Sequence, residues 1–79
     1  MADSSELITI VRKSSREEYR FTRETYQGRT FAQVRVWYGV DGGEMKPGRA
    51  GISVKPDRLD EVIAALQVTR NKLTGGDPL

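Results

Sequence analysis

Thr30-Phe31-Ala32-Gln33-Val34-Arg35-Val36-Trp37-Tyr38 is the stretch whose reading decides the fold. A strand sends successive side chains to opposite faces, so Ala32, Val34 and Val36 form one small aliphatic face that suits a core. Phe31, Gln33, Arg35 and Trp37 form the other. Burying Arg35 without a partner would be costly, which places this second face at the surface. Aromatic rings beside an arginine on an open sheet are what stacked bases and phosphates need. The competing reading is a half-buried strand whose rings pack under a helix or a second subunit.

The neighbouring segments read outward from this strand. Leu7 to Arg12 (LITIVR) is rich in β-branched residues and reads as a strand, closed by the polar turn Lys13-Ser14-Ser15-Arg16. Tyr19 to Thr25 reads as a second strand. Tyr19, Phe21 and Arg23 share one of its faces, and Arg20, Thr22 and Glu24 the other, with Tyr26 continuing it. Gln27-Gly28 supplies a tight turn, since glycine tolerates positive φ. Three strands with short turns make an antiparallel meander, which can leave one face in water.

Gly39 to Gly48 (GVDGGEMKPG) reads as a loop, because its glycines and Pro47 exclude a helix interior. Gly51 to Val54 is a short fourth strand. Pro56 suits the first position of a helix, and Asp57 and Asp60 suit its positive end. That helix is expected to run to Asn71 or Lys72, with Leu59, Val62, Ile63 and Leu66 on one stripe. The expected class is therefore α+β: a four-stranded antiparallel sheet followed by one C-terminal helix, β-β-β-β-α. The helix is expected to cover the aliphatic face of the sheet. Residues 1–6 are expected to be a disordered start, 7–72 the domain, and 73–79 a disordered tail.

Composition limits what such a domain can do. At 79 residues it is one small domain. A chain of this size buries only about 60–65% of its unfolded surface, so a homodimer is a natural way to enlarge the core. The sequence has no cysteine and no histidine. Disulfides and the usual zinc sites are excluded, and so are the commonest bases and nucleophiles of enzymes. Neither a catalytic residue, a metal nor a cofactor is expected, and the chain does not read as an enzyme. Asp57, Asp60 and Glu61 are explained by the helix dipole better than by metal binding. The Gly39–Gly48 loop lacks the Gly-Lys-Ser/Thr ending of a P-loop and leads into a strand. The opening residues have no charged and apolar pattern of a signal peptide, and no segment is long enough to span a bilayer. The net charge is +2, with 13 Lys and Arg against 11 Asp and Glu. Many of the bases precede residue 50, while Asp57, Asp60 and Glu61 open the helix, a segregation that suggests a basic sheet facing a polyanion. Glu17, Glu18 and Glu24 dilute that bias, so an ordinary solvated surface is the plainer alternative.

Three ordered motifs carry a resemblance. Gly43-Glu44-Met45-Lys46-Pro47-Gly48-Arg49-Ala50-Gly51-Ile52-Ser53-Val54, followed by Lys55-Pro56, closely resembles a loop-strand-helix signature of the transcriptional coactivator positive cofactor four family, in its C-terminal single-stranded-DNA-binding domain. Tyr26-Gln27-Gly28-Arg29 resembles that family's aromatic-Lys-Gly-basic turn. Val34-Arg35-Val36-Trp37-Tyr38 resembles its arginine-containing third strand. Ser15 to Arg20 is similar to the first hairpin of bacterial members. The likeness spans Leu7 to Lys72.

The resemblance implies a fold that dimerises through its helix, with two sheets presenting channels for single strands or melted duplex. It implies Tyr26 as a base-stacking ring flanked by Gln27 and Arg29, Arg35 on phosphate, and Tyr38 as the closing aromatic. Lys46 and Arg49 would add charge from the loop, and Arg20 a further contact. Phe31 and Trp37 complete the candidate set, and whether Trp37 or Tyr38 stacks on the ligand stays open. Gln27 and Ala50 stand where the family often has lysine, which implies weaker binding and a shallower salt slope. The family's acidic, serine-rich region is absent from this sequence, so a prokaryotic or phage-like member fits better than a eukaryotic coactivator. The expected function is largely sequence-independent single-stranded DNA binding by a homodimer in transcription, replication or repair, with transcription or replication machinery as further partners. The expected location is the cytoplasm, with the nucleoid, for a prokaryotic member, and the nucleus for a eukaryotic one. The alternatives are a protein-interaction module and an RNA-binding regulator on the same fold.

Overall fold

Alternating side chains and two tight turns produce the meander the sequence calls for. The computed structural model describes residues 3–74. Strands β1 (Ser4–Arg12), β2 (Glu17–Tyr26), β3 (Arg29–Gly39) and β4 (Met45–Val54) pair antiparallel in the order β1-β2-β3-β4. A 3₁₀ turn, η1 (Pro56–Arg58), then leads into helix α1 (Leu59–Thr74). The architecture is the expected α+β arrangement.

The β2–β3 hairpin is the tightest joint. Tyr26 pairs with Arg29, so only Gln27 and Gly28 lie between the strands. Both have positive φ, 51° and 78°. That is the backbone of a type I′ turn, whose twist matches that of the strands it joins.

The strands are longer than the sequence indicates. Ser4–Glu6, expected to precede the domain, already pair with Thr25, Glu24 and Arg23 in β1. The Gly-rich segment is a loop only to Glu44; Met45 to Pro47 continue β4 and pair with Gly39 to Trp37. Pro47 is tolerated because β4 is an edge strand, where a missing N–H need not break a ladder. Register shifts between Arg35 and Trp37, so Gly48, Arg49 and Ala50 stand opposite Val36 alone. Glycine is required on both sides of this bulge. A Cβ on Gly48 would lie 2.8 Å from the Val36 carbonyl oxygen, and one on Gly51 would lie 2.6 Å from that of Val34.

The helix differs from expectation in what it covers. Its start is marked by Pro56, with Asp57, Asp60 and Glu61 in the opening turns and Lys72 in the last. It extends through Thr74, beyond the expected Asn71 or Lys72, so Leu73 and Thr74 are helical and only the remainder of the expected tail, 75–79, lies outside the described residues. Yet α1 has no buried residue, and Val54 is the one buried hydrophobic side chain among the described residues. The expectation that the helix covers the aliphatic face within one chain is therefore corrected. The physical reason is reach: α1 leaves the sheet at η1 and packs chiefly on that turn. The radius of gyration is 15.1 Å, against about 12 Å for a compact chain of this length. Leu7, Ile10, Val11, Ile52, Ile63, Leu66 and Leu73 are left exposed.

Candidate nucleic-acid interface

Register sorts the candidate residues by face, because directly paired residues share one. Arg35 pairs with Arg20, Trp37 with Glu18, Phe31 with Glu24 and Arg29 with Tyr26. One face of β2 and β3 thus carries Arg20, Tyr26, Arg29, Phe31, Arg35 and Trp37 together. The opposite face carries Tyr19, Phe21, Ala32, Val34 and Val36, as the alternation predicts.

The other candidates are placed elsewhere. Tyr38 pairs with Glu17 and with Lys46, so both Tyr38 and Lys46 belong to the aliphatic face, at the end remote from the β2–β3 turn. Gln27 sits in that turn, where its backbone N–H donates to the Asp3 carboxylate at 3.2 Å. Arg49 lies in the bulge of β4 and is exposed.

Two arginines on the shared face have different surroundings. Arg35 donates from Nη1 to the Gly48 carbonyl at 3.0 Å and forms no ion pair with a carboxylate among the described residues. Its charge is held in place by a backbone carbonyl. Arg20 donates from Nε to Glu18 Oε2 at 2.6 Å. Its guanidinium carbon also lies 4.0 Å from the centre of the Trp37 ring, a cation–π contact. One side of that ring is therefore already occupied.

Near the β2–β3 turn Tyr26 is more accessible than Trp37, while Phe31 is half-buried like Trp37. Tyr26 is 54% exposed. Together with Arg29, Phe31, Ser53, Lys55, Pro56 and Asp57 it lines an open groove of about 780 Å³. Arg29 and Lys55 form no ion pair among the described residues. This groove therefore brings two rings and two cations together beside the single carboxylate of Asp57, the elements of a stacking platform with a phosphate track. Lys55 was absent from the sequence-derived set. The signal available was its position immediately before Pro56, which holds it at the strand–helix junction.

Acidic residues interrupt the same face. Glu24 Oε2 accepts from Thr22 and from Ser5, each at 2.6 Å. The surface is thus a mixed one with localised cations, less uniformly basic than the distribution along the chain suggests. No group of three or more potential ligand residues able to hold a metal is found among the described residues. No helix there is long and apolar enough to cross a membrane.

The fold agrees with comparisons to known proteins. Two crystal forms of BPSL1147, a PC4 homolog from Burkholderia pseudomallei K96243, are similar to this chain. The orthorhombic form has 32% identity and a TM-score of 0.79, covering 96% of this chain and 99% of that one. The tetragonal form has 33% identity and a TM-score of 0.78, covering 85% and 98%. A bacteriophage T5 homolog of the eukaryotic transcription coactivator PC4, implicated in recombination-dependent DNA replication, shares the fold at 18% identity, with a TM-score of 0.51 over 91% of this chain and 78% of that one. No curated protein sequence matches the chain significantly. The model of the family described as transcriptional coactivator p15 (PC4) matches residues 13–65, from the first turn through the sheet and into the helix, and the chain belongs to that family.

Proposed function

We propose that this protein is a homodimeric, largely sequence-independent single-stranded DNA-binding protein of the transcription, replication or repair machinery. The observation that carries the reading is the groove in which Tyr26 and Phe31 lie beside Arg29 and Lys55, on the same sheet face as Arg35, which forms no ion pair among the described residues. Rings of this kind stack on any base, at about 1–3 kcal/mol per base, and so bind without strong sequence preference. The cations supply the salt-dependent part of the affinity through counterion release. Membership of a coactivator family supports a role at DNA. Sequence reading in a major groove is not favoured, because the one helix of the described residues opens with acidic side chains.

A second copy completes the fold in this reading. Ile63, Leu66 and Leu73 lie exposed on the helix, and Ile52 on the sheet. A single chain with one buried hydrophobic residue among those described cannot offset the entropy of ordering its backbone. Pairing through the helix would cover this surface and set two strand-binding sheets side by side.

The deciding experiment is fluorescence anisotropy of a labelled single strand of about 20 nucleotides, titrated at low and physiological salt with the matching duplex as competitor. Single-strand binding that the duplex displaces poorly is expected. Equal displacement by duplex, or no binding at physiological salt, overturns the reading and favours a protein partner on the same face. A matched RNA strand that competes better than DNA reassigns the ligand.

A further inference from the structure

The cation–π pair of Arg20 and Trp37 is held by a carboxylate on the proposed binding face, and this has a consequence for affinity. In register, Arg12 pairs with Glu18, and Glu18 with Trp37; in the adjoining row, Arg20 pairs with Arg35. Glu18 therefore lies among three arginines on one face. Its Oε2 takes the Arg20 Nε–H at 2.6 Å, and the two side chains are only 22% and 16% exposed, so water screens the pair weakly. Like charges directly across a strand pair destabilise it. Arg20 and Arg35 stand in that relation, and Glu18 offsets it.

We infer that Glu18 acts as an internal stand-in for a ligand phosphate, occupying Arg20 in the free protein and setting how tightly a nucleic-acid strand is held. An anionic carboxylate and a phosphate oxygen compete for the same guanidinium donors. While Glu18 holds Arg20 over Trp37, that arginine is withheld from the strand and one side of the ring is closed to bases. The inference rests on the single-strand-binding reading proposed above.

The test is a double-mutant cycle on the full chain, using a labelled oligothymidine and titrations across a salt series. Glu18→Gln is expected to tighten binding about three- to tenfold at low salt, with the log–log salt slope steeper by about 0.7, the increment for one more phosphate contact on a single strand. In an Arg20→Gln background the same Glu18→Gln change is expected to alter affinity by less than about twofold, since the arginine it would release is gone. Glu18→Thr, a strand-compatible uncharged residue, gives the same readout if the glutamine variant does not fold. Unchanged or weaker binding by folded Glu18 variants overturns the inference. So does an equal gain in both backgrounds, which marks a general charge effect. A wild-type protein that binds no single strand overturns the functional reading and this inference together; wild-type binding without the expected gain overturns the inference alone.

Discussion

Arg35 is anchored to Gly48 across the bulge of β4: its Nη1 donates to the Gly48 carbonyl at 3.0 Å. The glycine is there because a Cβ would meet the Val36 carbonyl oxygen at 2.8 Å. The Gly-rich segment thus shapes the edge strand so that a backbone carbonyl orients the arginine without neutralising it. A carboxylate in the same place would have cancelled the charge.

Arg35→Ala is accordingly expected to weaken single-strand binding while leaving the fold intact. Loss of one phosphate contact lowers the log–log salt slope by about 0.7. Tyr26→Ala removes a ring that is exposed and contributes little to packing, and is expected to cost about 1–3 kcal/mol of binding, with the salt slope unchanged. Anisotropy titrations of the two variants separate the electrostatic from the stacking contribution. Tight binding by the double variant would show that the strand runs elsewhere.

Lys55→Ala distinguishes the groove from the rest of the surface. It lines the same groove as Tyr26, Arg29 and Phe31, whereas Lys46 pairs with Tyr38 on the opposite face. Lys55→Ala is expected to weaken binding and reduce the salt slope. Lys46→Ala is expected to have the smaller effect. Titrations of both variants at two salt concentrations decide the order.

Gly51→Ala tests the bulge itself. The added methyl would meet the Val34 carbonyl oxygen at 2.6 Å and the Arg35 Cα at 3.1 Å, both backbone atoms that cannot swing aside. Overpacking of this kind costs about 1–3 kcal/mol. Gly42 has open space around it but a φ of 93°, so Gly42→Ala carries backbone strain alone, about 1–2 kcal/mol. Urea midpoints measure both. A Gly51→Ala protein as stable as wild type would mean that β4 can leave the bulge at no cost.

How much of this was legible in the sequence depends on whether the cause was local. The alternation of Thr30–Tyr38 and the Gln27-Gly28 turn fix the order of strands, the place of the tight turn and the two faces, because period and turn chemistry are properties of neighbouring residues. The grouping of Arg20, Tyr26, Phe31, Arg35 and Trp37 follows from the same parity. The extent of β4 was not legible. Met45–Pro47 resemble a loop in composition and become a strand only because β3 offers them a ladder at an edge that tolerates proline. The closure of Arg20 by Glu18 and Trp37 was hidden for a related reason, since the ring that completes it comes from another strand. The helix stripe of Leu59, Val62, Ile63 and Leu66 is visible in the sequence, but a stripe names no partner, and within this chain its far end has none.

That uncovered stripe leads to the last prediction. Leu66 is 63% exposed and Ile63 50% exposed on α1. If a second copy covers them, stability depends on protein concentration, because an equilibrium between folded dimer and unfolded chains shifts by mass action. The thermal midpoint is expected to rise as the protein is concentrated from micromolar to hundreds of micromolar. Leu66→Asp would place a charge in the apolar contact and is expected to dissociate the dimer and lower the midpoint sharply, since an unpaired buried charge costs several kcal/mol. An exposed position on a monomer would tolerate the same change within about 0.5 kcal/mol. Sedimentation equilibrium gives the mass of each protein directly. A wild-type monomer with a midpoint independent of concentration would require the sheet and helix to be stable with their apolar surface in water, and would rule out the paired-channel arrangement.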